Sequence, residues 1–305
     1  MLAVLKNGRV SITPLITFAV CLPAALSCSR DLPDDGMSDQ NIRLVYASVA
    51  SDPQTRNVID DGTLKITWTD GDAINVFFGA SSGSRFVTED AGAVAKFKGS
   101  VDVITGGGEG LDDDTSLWGI YPYDAGNSCD GKSVTITIPS VQNAAENTFA
   151  KGLFPQIARS RNFYMSFYNL CGCFRFSVSN SDICSVTLSG NGGEALAGKA
   201  KVSMDGVPEV EEILFGETEL TMNAPDGGCF KPGVNYYFVL YPTTFSKGLK
   251  LTYYKKDSSA SYEFSNSYTL KRGVISRFKD RDAGLTFVPK SLDGWGGGET
   301  VGGDI

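Results

Sequence analysis

The chain has 305 residues, of which 42% are hydrophobic and 20% charged, with a formal net charge of −8 and no histidine. That composition is typical of a globular protein with an apolar core, whereas the acidic balance excludes the basic surface that nucleic-acid binding requires. The absence of histidine excludes Ser-His-Asp hydrolysis, Cys-His nucleophiles and imidazole metal sites, and it leaves only Lys-based or paired-carboxylate chemistry open in principle. No motif for such chemistry is present, so the sequence predicts no enzyme, no metal ion and no other cofactor.

The first 28 residues have the order of features found in a secretory signal peptide. Lys6 and Arg9 give a positive start, an apolar stretch follows over residues 12–26, and small residues precede Cys28. The apolar stretch is short for a membrane span. A cysteine at the predicted cleavage point resembles a bacterial lipobox, in which that cysteine carries lipid. We therefore predict lipidation of Cys28, with an ordinary signal peptide and an incidental cysteine as the alternative.

After the signal peptide, residues 29–40 form a polar, acidic tether. From residue 41 onward, short runs of alternating apolar residues are separated by Gly, Asn, Asp or Ser. Such runs predict many short strands and an all-β sandwich or barrel. Helical spacing occurs only near residues 147–158, where Pro155 interrupts it. The alternating apolar sets include Ile42, Leu44 and Tyr46; Leu64, Ile66 and Trp68; Ile74, Val76 and Phe78; Val134, Ile136 and Ile138; and Leu249, Leu251 and Tyr253.

The length favours two domains, and the pattern changes near residues 159–163. We therefore predict an N-terminal β-sandwich domain over residues 41–162 and a C-terminal one over residues 163–288. Residues 289–305 are rich in glycine and form a predicted tail, which is a candidate donor strand.

Five cysteines remain beyond the signal peptide, which is an odd number. Their spacing shows no dense disulfide framework, and Cys-x-Cys alone is a weak zinc signal. The sequence therefore predicts that they are largely buried thiols rather than a zinc site. These residues are Cys129, Cys171, Cys173, Cys184 and Cys229.

The segment that begins at Trp68 predicts a hairpin. Trp68 ends one apolar run, Asp70-Gly71 is a strong two-residue turn signal, and Asp72 and Ile74 open the next run. Trp68 supplies a large apolar side chain, so a structural role explains the segment without any ligand.

This segment resembles the W-x-x-G-D-x-I motif of the fimbrillin-like family of Gram-negative lipoproteins, which form type V pili. Further segments match the family in the same order along the chain. The resemblance implies two tandem β-sandwich domains of transthyretin-like, Greek-key type, little helix, and polymerisation by strand exchange. The matching segments are Trp68–Phe77, Phe97–Gly99, Ile120–Tyr123, Phe167–Gly172, and Ser185–Asn191 leading into Ala197-Gly198.

The resemblance also implies proteolytic processing. A trypsin-like protease would cut after Arg56, which follows the first predicted strand in a polar loop with Pro53, and would remove that strand. The vacated groove would then accept a strand from another chain, with the tail Phe287–Ile305 as the candidate donor. Arg43 is less suitable as a cleavage site because it lies within the strand. The alternative is that Arg56 is a solvated loop residue and the first strand stays in the core.

Together, these features predict a structural subunit, or an accessory or tip component, of an adhesive cell-surface pilus. Its partners would be other pilus subunits, and the lipid on Cys28 would attach it to the outer membrane. The alternative is a monomeric surface lipoprotein that binds a glycan or a protein. A glycan would stack on exposed aromatic rings, whereas the same rings could instead be packed in the core or against rings on neighbouring strands. The candidate rings are Phe230, Tyr236, Tyr237, Tyr253, Tyr254 and Tyr262.

Overall fold

The structure, a computed structural model, describes residues 42–50, 67–101, 116–278 and 280–289. The predicted signal peptide, lipidation site Cys28, acidic tether, Arg56 and most of the tail lie outside these ranges. Within them the regular secondary structure is strand, apart from one turn of 3₁₀ helix at Pro225–Gly227, so the all-β prediction is confirmed. No helix in the described part of the chain has the length and apolar character of a membrane span.

The strands are short, as the sequence predicts. Their bounds are β1 (Ile42–Val49), β2 (Ala73–Phe78), β3 (Ser84–Thr88), β4 (Val94–Ser100), β5 (Leu117–Tyr121), β6 (Ser128–Cys129), β7 (Val134–Ile138), β8 (Val141–Asn143), β9 (Gln156–Ser160), β10 (Tyr164–Asn169), β11 (Gly172–Phe176), β12 (Ser185–Gly190), β13 (Ala197–Asp205), β14 (Val207–Glu217), β15 (Glu219–Asn223), β16 (Tyr236–Leu240), β17 (Thr243–Phe245), β18 (Leu249–Tyr254), β19 (Ser258–Phe264), β20 (Tyr268–Leu270), β21 (Ile275–Arg277) and β22 (Val288–Pro289).

Seven strands form a closed barrel in the order β1-β10-β9-β5-β2-β3-β4. A closed sheet has no free edge within the ring, so every strand of the barrel is paired on both sides. The barrel encloses its own core, which is built from aliphatic and aromatic side chains. Its buried residues are Val45, Ala47, Trp68, Ile74, Val76, Phe86, Ala95, Phe97, Val101, Leu117, Ala158, Met165 and Phe167.

The remaining strands form four open sheets. The largest has the order β22-β19-β18-β12-β15-β8, beside a four-stranded sheet β14-β13-β7-β6, a three-stranded sheet β16-β11-β21 and the pair β17-β20. Alternation places one face of β7 in the core, since Val134, Ile136 and Ile138 are buried and the threonines between them are not. Strand β16 is buried along its whole length, which is typical of a strand covered on both faces.

Strand pairing crosses the domain boundary that the sequence predicts after residue 162. Strand β10 follows that boundary yet closes the barrel, whereas β7 and β8 precede it and pair with β13 and β15. The described residues all belong to one compact unit. Alternation reports which face of a strand is buried but not which strand is its neighbour, so it did not predict these pairings.

The helical spacing near residues 147–158 does not produce a helix. The segment forms turns and then enters strand β9 (Gln156–Ser160). Asn147 and Gly152 have φ values of 57° and 74°, which are outside the right-handed helical region. Pro155 also lacks the N–H that a helix interior requires. Local backbone geometry therefore overrides the apolar spacing.

The five cysteines divide into two groups. Cys129, Cys171 and Cys173 are free thiols, of which Cys129 is half-buried. Cys171 and Cys173 are buried, as predicted, and burial raises the pKa of both well above the ordinary value. Cys184 and Cys229 instead form a disulfide, so the prediction of thiols is wrong for this pair. Their separation of 45 residues gave no signal in the sequence. The described residues contain no group of three or more Cys, Asp or Glu side chains placed to hold a metal ion.

Candidate strand-exchange site

Strand β1 closes the barrel between two neighbours. It pairs antiparallel with β4, from Ile42↔Ser100 to Ser48↔Val94, and parallel with β10. Both of its edges are therefore bonded to protein. Additional backbone bonds run from the Tyr46 N–H to the Phe163 carbonyl (2.8 Å), from the Val49 N–H to the Ala93 carbonyl (3.1 Å) and from the Ala50 N–H to the Phe167 carbonyl (2.8 Å).

The inner face of β1 is small and apolar. Val45 and Ala47 point into the barrel and are completely buried, whereas Leu44 and Tyr46 are 40% and 37% exposed. The face marked by Ile42, Leu44 and Tyr46 is therefore the outer one, and Tyr46 stacks there on Tyr164 with ring centroids 5.1 Å apart. Both faces of this strand carry apolar residues, so alternation alone did not identify the buried one.

Trp68 lies in the barrel core beneath β1. Its ring makes edge-to-face contacts with Phe97, Tyr121 and Phe167, at centroid distances of 5.1, 5.4 and 5.2 Å. Its indole Nε1–H donates a buried hydrogen bond of 3.1 Å to the backbone carbonyl of Ala47. The first residue of the W-x-x-G-D motif therefore holds the backbone of β1 directly.

The predicted hairpin at this motif is wrong, although the predicted turn is present. The backbone of Trp68 pairs with Gly92, and strand β2 pairs with β3 and β5 instead. A hydrogen bond of 3.0 Å from the Asp72 N–H to the Thr69 carbonyl closes the turn. The chain thus turns at Asp70-Gly71 without folding back on itself as two paired strands.

The buried Asp72 carboxylate holds this turn. It accepts hydrogen bonds from the Thr69 N–H (2.8 Å) and Oγ1 (3.1 Å) and from the Tyr121 Oη (3.3 Å), and the Lys151 ammonium lies 3.5 Å away. Because Tyr121 also packs against Trp68, the carboxylate fixes one wall of the indole pocket. Sequence analysis marked Asp72 in the motif and Tyr121 in the matching segment Ile120–Tyr123, but it predicted neither the contact between them nor a role for Lys151.

The other two motif residues have structural roles. Gly71 has a φ of 75°, a conformation that L side chains rarely adopt, so glycine suits the turn. Ile74 is completely buried in the barrel core. The four marked residues, Trp68, Gly71, Asp72 and Ile74, therefore support the part of the core that contacts β1.

Tyr121 makes the stability of this site depend on pH in the alkaline range. Burial, and secondarily the Asp72 charge, raises the pKa of Tyr121 to about 12. An unfolded tyrosine has a pKa of about 10, so the unfolded state ionises first and gains stability as the pH rises. The contribution of Tyr121 to the free energy of unfolding should be complete below pH 10 and be lost between about pH 10 and pH 12.

Urea denaturation at pH 9 and pH 11 tests this expectation, with Tyr121→Phe as the comparison. The phenylalanine variant should lose less free energy of unfolding over this interval than the unmodified chain. Tyr241 and Tyr253, whose pKa values burial also raises, are present in both proteins and cancel. An equal loss of free energy of unfolding in the two proteins would contradict the assignment of this pH dependence to Tyr121.

Most of the aromatic residues considered for a glycan site are core residues. Phe230, Tyr236, Tyr237 and Tyr253 are buried, and Tyr254 and Tyr262 are half-buried. Phe230, Tyr236 and Phe238 pack around Phe176 at centroid distances of 5.0–5.8 Å. These contacts place most of the rings in packing rather than on a stacking surface.

Comparison with known proteins gives structural neighbours only. No family model matches the chain, and no curated protein matches it. A "putative cell adhesion protein" from Bacteroides ovatus is 14% identical, with a TM-score of 0.46, over 81% of this chain and 95% of that one. A "putative cell adhesion protein" from Bacteroides uniformis is 15% identical, with a TM-score of 0.45, over 83% and 98%. The tip fimbrial protein Mfa3 from Porphyromonas gingivalis is 8% identical, with a TM-score of 0.34, over 81% and 99%.

Proposed function

We propose that this chain is an exported lipoprotein that acts as a subunit, or as an accessory or tip component, of a cell-surface pilus, and that it assembles by exchange of β1. The observation that carries the proposal is that β1 closes the barrel and is followed by the segment that contains Arg56. The chain passes from Ala50 to Thr67 through residues 51–66. Cleavage there separates β1 from the rest of the barrel.

Loss of β1 would create a site for a strand of another chain. Strands β4 and β10 would each lose the partner along one edge, which leaves backbone N–H and C=O groups unpaired. The places of Val45 and Ala47 would be empty above the aromatic core. A donor strand restores both the backbone bonds and the apolar contacts, which is the physics of β-strand addition.

The donor in this proposal is the glycine-rich tail. The pairing of Val288 and Pro289 in β22 with β19 shows that the described start of the tail is already in a sheet. We therefore narrow the donor from residues 287–305 to the part beyond Pro289. Glycine lowers the strand propensity of this part, so in this proposal it adopts the strand conformation when it docks in the groove.

The lipid on Cys28 completes the proposal by attaching the exported chain to the outer membrane before assembly. Replacing Cys28 with alanine should abolish labelling by a radioactive fatty acid and release the protein from the membrane fraction, because acyl chains supply the membrane affinity. Cys21→Ala is the matched control, since Cys21 lies within the predicted signal peptide and should leave labelling unchanged. Unchanged acylation of the Cys28→Ala protein would contradict this part of the proposal.

Electron microscopy of the cell surface tests the proposed function directly. Antibody against this chain should decorate filaments on cells that carry the gene and not on cells from which it is deleted. Decoration along the filament would identify a structural subunit, and decoration at the ends would identify a tip or accessory component. Label spread over the membrane, without filaments, would instead favour the monomeric surface lipoprotein.

A further inference from the structure

A cavity of about 440 Å³ lies at the connection between β19 and β20. Its volume is within the range of about 300–1,000 Å³ that small-molecule sites occupy. The residues that line it come from the open sheets and their connections, not from the barrel that contains β1. Five aromatic residues and two arginines are among them. Strand exchange does not account for this combination.

The five aromatic rings form a continuous row, in which neighbouring ring centroids are 4.5–5.7 Å apart. In order, the rings are those of Tyr268, Phe174, Phe278, Phe264 and Tyr262. Phe174 and Phe278 are buried, whereas Tyr268 is 39% exposed. The Tyr268 hydroxyl also forms a hydrogen bond with the Ser276 hydroxyl. Tyr268 is therefore a fixed aromatic surface at the exposed end of the row.

Arg281 lies at the other end of the row. Its guanidinium carbon is 4.8 Å from the ring centroid of Tyr262 and 5.5 Å from that of Phe264, so two cation–π contacts hold it. Its Nε–H is buried and has no hydrogen-bond partner, and Arg281 forms no ion pair with any residue that the structure describes. Arg277, which is exposed, adds a second positive charge to the cavity. The protein thus leaves the donors of the Arg281 guanidinium, whose geometry matches a carboxylate, for a ligand.

The acidic residues near the cavity are directed elsewhere. The carboxylates of Asp280 and Asp282 accept hydrogen bonds from groups within residues 177–180. Glu263 lies in β19 between two aromatic residues of the row, and successive side chains of a strand alternate between its faces. Its carboxylate is therefore on the opposite face of the sheet, in register with Lys250. The cavity keeps a local positive charge although the chain as a whole is acidic.

We infer that this cavity binds a sugar that carries a carboxylate, such as a uronic acid. The carboxylate binds Arg281, and the C–H face of the sugar ring packs on Tyr268. The sugar hydroxyls contact the connection at residues 265–267, whose side chains, two serines and an asparagine, are exposed. An inorganic anion would not use the aromatic surface, and a neutral sugar would leave the guanidinium unpaired. This site goes beyond the proposed function, because assembly by strand exchange does not require it.

An NMR titration of the purified full chain with a matched pair of sugars tests this inference. Methyl β-D-glucuronide and methyl β-D-glucoside differ only in that one carries a carboxylate where the other carries a hydroxymethyl group. The nitrogen–proton signal of the Arg281 Nε–H, assigned by its absence from Arg281→Gln, should shift when the glucuronide is added. The dissociation constant should be about 1 mM, which is the range expected for a ligand of this size. The glucoside should bind at least about tenfold more weakly, because it lacks the charged hydrogen bonds.

Variants then test the two ends of the cavity separately. Arg281→Gln should weaken glucuronide binding at least about tenfold, and Tyr268→Ala should weaken it about fivefold. Arg277→Gln changes an exposed position that the fold does not depend on, and it should weaken binding about threefold by removing one charge. The matched controls are Arg161→Gln and Tyr164→Ala, which change an exposed arginine and an exposed tyrosine near the connection between β9 and β10. Both should leave the affinity unchanged.

Glucuronide binding that depends on both Arg281 and Tyr268 would support the inference. Equal affinity for the two sugars, or no shift at glucuronide concentrations well above the expected dissociation constant, would overturn it. Sodium acetate that binds as tightly as the glucuronide would also overturn it, because the sugar ring would then contribute nothing. Tighter binding of acetyl-phenylalanine would instead identify a peptide carboxyl terminus as the ligand. The titration uses the chain in solution without polymers, so a negative result leaves the proposed function standing.

Discussion

Replacing Arg56 with alanine should leave β1 attached to the chain and abolish the assembly of surface polymers. The physical reason is that β1 occupies the groove with pairing to both β4 and β10 and with Val45 and Ala47 buried in the core. A donor strand from another chain competes poorly against a strand that is covalently part of the same molecule, whose effective concentration is in the millimolar range for a short linker.

The measurement is N-terminal sequencing of protein from surface polymers, combined with the polymer yield of the variant. Polymers of the unmodified chain should begin at Asn57, and Arg56→Ala should give monomers that retain β1. Arg161→Ala is the matched control, because Arg161 is an exposed arginine in the connection between β9 and β10. Polymers that begin at Cys28, or normal assembly of Arg56→Ala, would rule out activation at this position.

Several strands were predictable because they bury an alternating apolar face. The residues Val134, Ile136 and Ile138 behave as the pattern predicts, and so do Leu249, Leu251 and Tyr253, all of which are buried. The closure of a barrel across the predicted boundary was not predictable. It depends on the pairing of β10 with β1, which lie more than a hundred residues apart, and no local pattern encodes such a pairing.

The candidate site shows a similar division. The W-x-x-G-D motif marked Trp68, Gly71 and Asp72, and all three have structural roles in the site. Their partners were not visible, because the acceptor of the indole bond is a backbone carbonyl on β1 and Tyr121 reaches Asp72 from strand β5. Backbone acceptors have no side-chain signature, so only the fold reveals them.

The two faces of β1 provide the sharpest test of this site. Val45→Asp should lower the free energy of unfolding by about 3 kcal/mol or more, because it places a carboxylate in the barrel core without a partner. Urea denaturation measures this change. Hydrogen exchange should show in addition that the β1 amides lose protection, since the inner face no longer favours docking of the strand.

Leu44→Asp is the matched control for Val45→Asp, because it introduces the same charge one residue earlier in the same strand. Leu44 is 40% exposed and its register partner is Lys98, so the new carboxylate points to solvent beside a lysine. The change in the free energy of unfolding should stay within about 1 kcal/mol. If Leu44→Asp were instead the more destabilising of the two, Leu44 and Tyr46 would form the inner face, and the groove inferred beneath Val45 and Ala47 would not exist.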